Sequence, residues 1–256
     1  MVEPADPAVQ RLARNFGRQA VDPAAKATLV RGVFDRVAGR YDLMNDLMSL
    51  GVHRLWKDAV IDWLAPRPGI AHVDVAGGTG DLAERLLART DGDAAVTVCD
   101  INASMLQAGR DRALDRVSLD GLHWVCGNAE ALPFPDRSFD SYTIAFGIRN
   151  CTRIDTVIDE AYRVLRTGGR FLCLEFSAVV LPGLDRIYDL YSDRVLPEIG
   201  ARVAKDRDAY VYLVESIRNF PEQDTFARLI GKSGFDLVRY RNLSGGIAAI
   251  HSGWKL

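Results

Sequence analysis

The chain has 256 residues, enough for one sizeable α/β domain or two small ones. At 48% hydrophobic and 26% charged it has an ordinary soluble globular composition, and a formal charge of −2 gives no electrostatic case for nucleic acid. The four cysteines (Cys99, Cys126, Cys151 and Cys173) form no CxxC pair, so reduced core thiols are expected and a metal site is not.

The opening stretch "MVEPADPAVQRLARNFGRQ" has acidic residues early and lacks the apolar run of a secretory signal, so a cytoplasmic location is expected. No stretch approaches the roughly 20 apolar residues that span a bilayer. Residues 1–25, rich in proline and small residues, read as a loosely ordered arm, and 26–256 as a single domain. From Lys26 to Leu64 apolar residues recur at helical spacing, which predicts two or three helices, and "APRPG" ends that pattern. Strands are predicted near 70–76, 95–100, 122–126, 139–146 and 170–176, with helices near 80–89, 103–116 and 154–166. "RTGG" reads as a glycine stop for the last of these helices. A mostly helical insertion from Leu181 to about Ser233 follows. "FDLVRYRNL", "SGG" and "IAAIHSGWKL" then read as a closing hairpin. The fold class is therefore α/β, a Rossmann-like doubly wound sheet, mostly parallel with a C-terminal antiparallel hairpin, carrying helical lid segments at 26–64 and about 181–220.

"HVDVAGGTGDL" (72–82) places a glycine turn between a strand and a helix, the geometry of a nucleotide site. Gly77, Gly78 and Gly80 allow positive φ and close backbone approach. The match to GxGxx(G/A) fits dinucleotides and adenosyl compounds equally. Asp100 ends the second strand twenty residues past Gly80, where a carboxylate can accept both ribose hydroxyls. Its competing role, capping the next helix, can be taken by Asn102 or Ser104. Asp74, inside an apolar strand, needs a cation or several donors to stay ionised, and a methionyl ammonium and sulfonium would suit it. In "GNAEALPFPDRSFD" the Asn128 amide and the Ala129 N–H can meet an adenine edge, although Gly-Asn also favours a plain turn.

"VDVAGGTGDL", Asp100, "NAEALPFPDRSFD" and "YRVLRTGGRF" together resemble the class I S-adenosylmethionine-dependent methyltransferases. "YDLMNDLMSLGVHRLW", "FGIRN" and "VLRTGGRFLCLEFS" narrow the likeness to the quinone-biosynthesis C-methyltransferases, over about Val33 to Leu256. The resemblance implies S-adenosyl-L-methionine as cofactor, with Thr79, Asp100, Asn128 and Ala129 at the positions of the family's contacts; Asp74 and Gly78, read from the strand and the glycine turn, complete the expected cofactor-binding set. It implies a polyprenylated quinol substrate, a demethylmenaquinol or a methoxy-polyprenyl-benzoquinol. Ala76 stands where the family commonly has Gly, and Ala145 where it often has Ser. Since such a tail resides in lipid, transient contact with the inner membrane is an expectation; a homo-oligomer or a biosynthetic complex stays open. A ring carbon becomes nucleophilic when a phenolic oxygen loses its proton, so a cation or proton acceptor is needed. Arg149 and Asn150, leaving the fourth strand, are candidates to hold the phenolate, with Tyr41 and Asp42 closing over the ring. His53 is a further candidate base, while His72, His123 and His251 read as structural. A nicotinamide-dependent oxidoreductase and a non-catalytic adenosyl-binding partner are the competing readings; stabilisation by adenosylhomocysteine and not by NAD separates the first of them.

Overall fold

The computed structural model describes residues 7–17, 19–22, 25–26, 28–30, 32–33, 46, 49, 51–115, 121–183 and 207–256. Seven strands form one sheet: β1 (Ile70–Val75), β2 (Ala94–Asp100), β3 (Leu122–Cys126), β4 (Phe139–Ala145), β5 (Leu165–Phe176), β6 (Asp236–Leu243) and β7 (Ala248–Lys255). Their spatial order is 3-2-1-4-5-7-6. β1 to β5 pair in parallel, whereas β7 runs antiparallel to both β5 and β6. This is the expected sheet with its closing hairpin. The reversal of direction between β1→β2 and β1→β4 creates the crevice at the carboxyl ends where open α/β sheets hold ligands.

The helices are α1 (Pro7–Arg14), α2 (His53–Leu64), α3 (Asp81–Arg89), α4 (Ala103–Asp115), α5 (Ile154–Val164), α6 (Arg207–Asn219) and α7 (Gln223–Lys232). Buried side chains fall into two clusters, one on each side of the sheet. Trp56, Leu86 and Leu106 from α2, α3 and α4 belong to the first, and Val157 and Phe226 from α5 and α7 to the second. The strands between them are apolar on both faces, as a doubly covered parallel sheet requires. Among the described residues no helix is long and apolar enough to cross a membrane.

Two elements differ from expectation. β5 starts at Leu165, five residues before the predicted 170, and "RTGG" does not end α5. The helix stops at Val164 because Leu165 is already extended (φ −76°, ψ 142°). Its last carbonyls are taken by the chain entering β4: Arg137 N–H donates to Arg163 O at 3.0 Å and Ser138 N–H to Val164 O at 2.7 Å. No glycine turn is needed where a neighbouring strand satisfies these carbonyls. The glycines instead sit in a bulge, where pairing jumps from Phe139–Leu165 to Ser141–Arg170. The second difference lies in the stretch read as a loose arm. Pro7–Arg14 is helical, and Val9 and Leu12 are buried in the α5/α7 cluster.

Candidate active site

A cleft with a cavity volume of about 170 Å³ opens at the carboxyl ends of the parallel strands, where open α/β sheets hold ligands. The ends of four strands and the loops that follow them contribute to its wall: Gly78 after β1, Asp100 and Asn102 at the end of β2, Asn128 and Ala129 after β3, Phe146 and Asn150 after β4. A smaller recess beside it is lined by Lys57, Asp74, Gly77, Thr79 and Asp81. The six residues expected to bind the cofactor thus lie on two adjoining hollows.

Asp100 is held with its carboxylate at the mouth of the glycine turn. Its Oδ2 accepts from Gly78 N at 2.9 Å and its Oδ1 from Asn102 N at 2.8 Å. Capping of α4 falls to Asn102, whose Oδ1 accepts from Ser104 N and Met105 N at 2.9 and 3.1 Å. Asp100 is therefore free of the capping role. With four lone-pair sites for these donors, the carboxylate retains capacity to accept from a ribose hydroxyl. Burial pushes its pKa up, and the backbone donors of Asn102 and Gly78 pull it back. Asn128 Oδ1 accepts from Glu130 N at 2.9 Å, which leaves the NH₂ of that amide to donate to an acceptor such as a ring nitrogen.

Asp74 is fully enclosed in β1 opposite Thr143 of β4, whose hydroxyl donates to Asp74 Oδ1 at 2.7 Å. Behind it His72 lies between Ser141 Oγ (2.7 Å from Nδ1) and Thr143 Oγ1 (3.0 Å from Nε2). Because Thr143 spends its proton on Asp74, it accepts from His72 Nε2–H, and Ser141 donates to Nδ1. Burial pushes the His72 pKa down to about 3, so this structural imidazole stays neutral. The same burial pushes Asp74 up to about 7, against the opposing pull of Thr143 and Lys57. The Lys57 ammonium is committed elsewhere, to Asp81 Oδ2 at 2.7 Å. A buried carboxylate in this state accommodates a cationic ligand group. The backbone is shaped for that approach: a Cβ on Gly77 would lie 2.8 Å from Asp74 Oδ2.

Arg149 and Asn150 form a 3₁₀ turn (Ile148–Asn150) after β4. Arg149 is 1% exposed and donates through Nη1 to Glu175 Oε2 at 2.8 Å and to Phe146 O at 2.7 Å. Its Nε meets no acceptor among the described residues. Asn150 faces the cleft, and its Oδ1 accepts from Tyr212 OH at 2.9 Å. His53 is buried against Ser49 Oγ at 3.0 Å, and burial lowers its pKa. It lines neither hollow. Tyr41 and Asp42 lie outside the described residues, as does about half of the expected lid.

The ubiE/COQ5 methyltransferase family matches residues 22–255 of this chain. The chain belongs to that family. It is 59% identical over 244 residues to the ubiquinone/menaquinone biosynthesis C-methyltransferase UbiE of Brucella abortus (strain S19), a match that spans 94% of this chain and 91% of that protein. The corresponding protein of Brucella anthropi is 58% identical, again over 94% of this chain and 93% of its own length. Among solved structures, an S-adenosylmethionine-dependent methyltransferase from Thermotoga maritima superposes with a TM-score of 0.63 at 19% identity, covering 89% of this chain and 100% of that one. Haemonchus contortus phosphoethanolamine N-methyltransferase 2, in complex with S-adenosyl-L-methionine, gives 0.57 at 14% identity, covering 78% and 52%. At such identities the structures agree in fold. Membership in a methyltransferase family sets aside the nicotinamide reading of the glycine turn.

Ala76 adopts φ +51° and Phe146 φ +56°. Both left-handed residues lie on the cleft wall, the placement expected of strain kept for a site. Ala145 lines the recess with a methyl group where a serine would offer a hydroxyl. Lys57, Glu175 and Tyr212 escaped the sequence reading. Lys57 occupies the buried stripe His53, Trp56, Lys57, Val60, Ile61, Leu64 of α2, and a lysine on an apolar face is a signal that was there to read. Glu175 in "FLCLEF" carries the signal that singled out Asp74 in "HVDV".

Proposed function

We propose that this chain transfers a methyl group from S-adenosyl-L-methionine to a ring carbon of a polyprenylated quinol, the substrate class suggested by the names of its relatives. The observation that carries the cofactor assignment is the Asp100 carboxylate, held by Gly78 N and Asn102 N in the wall of the cleft. Asp100 would hold the ribose, Asn128 and Ala129 the adenine edge, Thr79 and Gly78 the turn beside the methionyl group, and Asp74 its ammonium. When bound, the cofactor supplies a methyl group on a sulfonium for in-line displacement. The chain aligns the ring, excludes water and favours phenolate. Asn150 donates to the ring oxygen from the cleft wall. Arg149, one residue away and neutralised by Glu175, keeps Nε as a remaining donor. Tyr41 is retained as a contact closing over the ring. Segments 26–64 and about 181–220 would cap the polyprenyl tail, and contact with the inner membrane surface would follow from that tail.

The deciding experiment is mass-spectrometric methyl transfer to two chemically reduced acceptors, a short-chain demethylmenaquinol and a 2-methoxy-6-prenyl-benzoquinol. Gain of one ring methyl on either acceptor is the expected result. No transfer to either, with adenosylhomocysteine still bound, would overturn the substrate assignment and leave the cofactor site. Asp100→Asn should weaken adenosylhomocysteine about tenfold in calorimetry, because one amide nitrogen replaces an oxygen that accepts from backbone and ribose. Unchanged affinity would remove Asp100 from the ribose contact.

A further inference from the structure

Asn150 is chemically ambiguous until its orientation is fixed. An amide turned one way offers NH₂ to the cleft, and turned the other way it offers a carbonyl. Only the first stabilises a ring oxygen that is becoming phenolate; the second repels it. The surroundings decide which is presented. Asn150 Nδ2 points at the Phe146 carbonyl at 3.4 Å, and Oδ1 faces the hydroxyl of Tyr212 at 2.9 Å. The Tyr212 side chain is enclosed on α6, and burial raises its pKa well above the ordinary phenol range, so its hydroxyl stays protonated and donates. That donation is compatible only with the amide oxygen.

Tyr212 is itself held from the N-terminal side. Phe16, just after α1, stacks on its ring with centroids 4.3 Å apart and an interplanar angle of 20°. Asn219, at the end of α6, donates through Nδ2 to Gly17 O at 2.8 Å. The buried Lys26 ammonium donates to Leu12 O at 2.6 Å and to Cys151 O at 3.1 Å. One cation thus joins α1 to the residue that follows Asn150. The N-terminal segment, α6 and the loop after β4 converge on a single amide.

We propose that Tyr212 is a positioning residue which sets the Asn150 amide with its NH₂ toward the cleft, and that the N-terminal segment keeps Tyr212 in place through Phe16. This rests on the reading of Asn150 as a donor to the quinol oxygen. It adds that the electronic character of the site is set from outside it, by a hydroxyl that never touches the substrate.

Tyr212→Phe keeps the stacked ring and deletes the hydroxyl. In the quinol methylation assay it should lower kcat about tenfold, the cost of one hydrogen bond, with KM for adenosylmethionine and the affinity for adenosylhomocysteine unchanged. Asn150→Ala should lower kcat at least as much. In the Asn150→Ala background Tyr212→Phe should have no further effect on kcat, since the amide it orients is gone. A merely structural tyrosine would instead give additive losses, with a drop in melting temperature, and that result overturns the proposal. Equal kcat for Tyr212→Phe and the unmodified enzyme, with Asn150→Ala impaired, also overturns it while leaving Asn150 in the mechanism. Full activity of Asn150→Ala overturns the reading of Asn150 itself, and the proposal falls with it. Phe16→Leu is the second variant, should Tyr212→Phe fold poorly. It should lower kcat in the same direction by a smaller factor, and wild-type kcat in a folded Phe16→Leu would remove the N-terminal segment from the argument.

Discussion

Glu175→Gln is expected to cost about 3–5 kcal/mol of stability, the range for stripping one partner from a buried ion pair. Glutamine keeps the shape of the side chain, so no cavity accompanies the change. What it leaves is an Arg149 guanidinium, 1% exposed, without a counter-charge. The loss propagates into the site because the same carboxylate organises backbone: Phe176 N donates to Oε2 at 3.1 Å and Arg149 N approaches Oε1 at 3.4 Å. Burial raises the Glu175 pKa, while Arg149 and these N–H groups oppose it. For a domain of this size the melting temperature should fall by about 6–20 °C, at roughly 2–4 °C per kcal/mol. An unchanged melting temperature would mean that the pair is not held as two charges. The double variant Arg149→Met/Glu175→Leu separates the two consequences. Removing both charges should restore most of the stability. Methylation should stay low, because the Nε donor is lost with the guanidinium.

The sheet was legible because its strands are short apolar runs separated by helical periods, and nothing in the tertiary structure contradicts that local pattern. Asp100 was legible for a different reason. Its two possible jobs had separable candidates, and Asn102, two residues on, takes the cap. "RTGG" was misread since the usual glycine stop assumes that a helix end must satisfy its own carbonyls. Here residues 137 and 138, distant in sequence, satisfy them. That information is tertiary and no local pattern holds it.

Val9, Leu12 and Phe16 do follow helical spacing, yet a short stretch among prolines gives too little periodicity to outweigh composition. Its order comes from what it docks on: Lys26, 14 residues from Leu12, and Tyr212 and Asn219, the latter 202 residues from Gly17. The paired charges show the same limit. Arg149 stood out in "FGIRN" as a lone cation able to hold a phenolate, because a sequence displays one charge at a time. Its partner is 26 residues away on β5. The partner converts that cation into a neutral pair whose Nε meets no acceptor among the described residues.

Asp74 should make cofactor affinity depend on pH. In the unliganded protein its pKa is pushed up to about 7, so below that pH the group is a neutral acid. A ligand ammonium favours the carboxylate, and binding therefore expels a proton. Affinity for adenosylhomocysteine should rise about tenfold per pH unit up to 7 and then level, which makes it about a hundredfold weaker at pH 5 than on the plateau. Calorimetry between pH 5 and 7.5 reads this while the ligand amine stays largely protonated. The groups bearing on Asp74 act as fixed partners across that window: Thr143 donates to it, Lys57 favours the charge, and Asp81 and Asp100 oppose it. Stability of the unliganded protein carries the opposite sign. The unfolded carboxyl ionises near 3.9, while the folded one holds its proton until about 7, so the unfolded state binds fewer protons in between. The Asp74 contribution to stability is full below about 4 and is lost as pH rises toward 7. Asp74→Asn should abolish both slopes, leaving a protein at least as stable at pH 8 that binds adenosylhomocysteine weakly at every pH. A flat affinity profile in the unmodified protein would take Asp74 away from the ammonium. A residue that destabilises the empty fold and strengthens the occupied one marks a carboxylate kept in the core for its ligand.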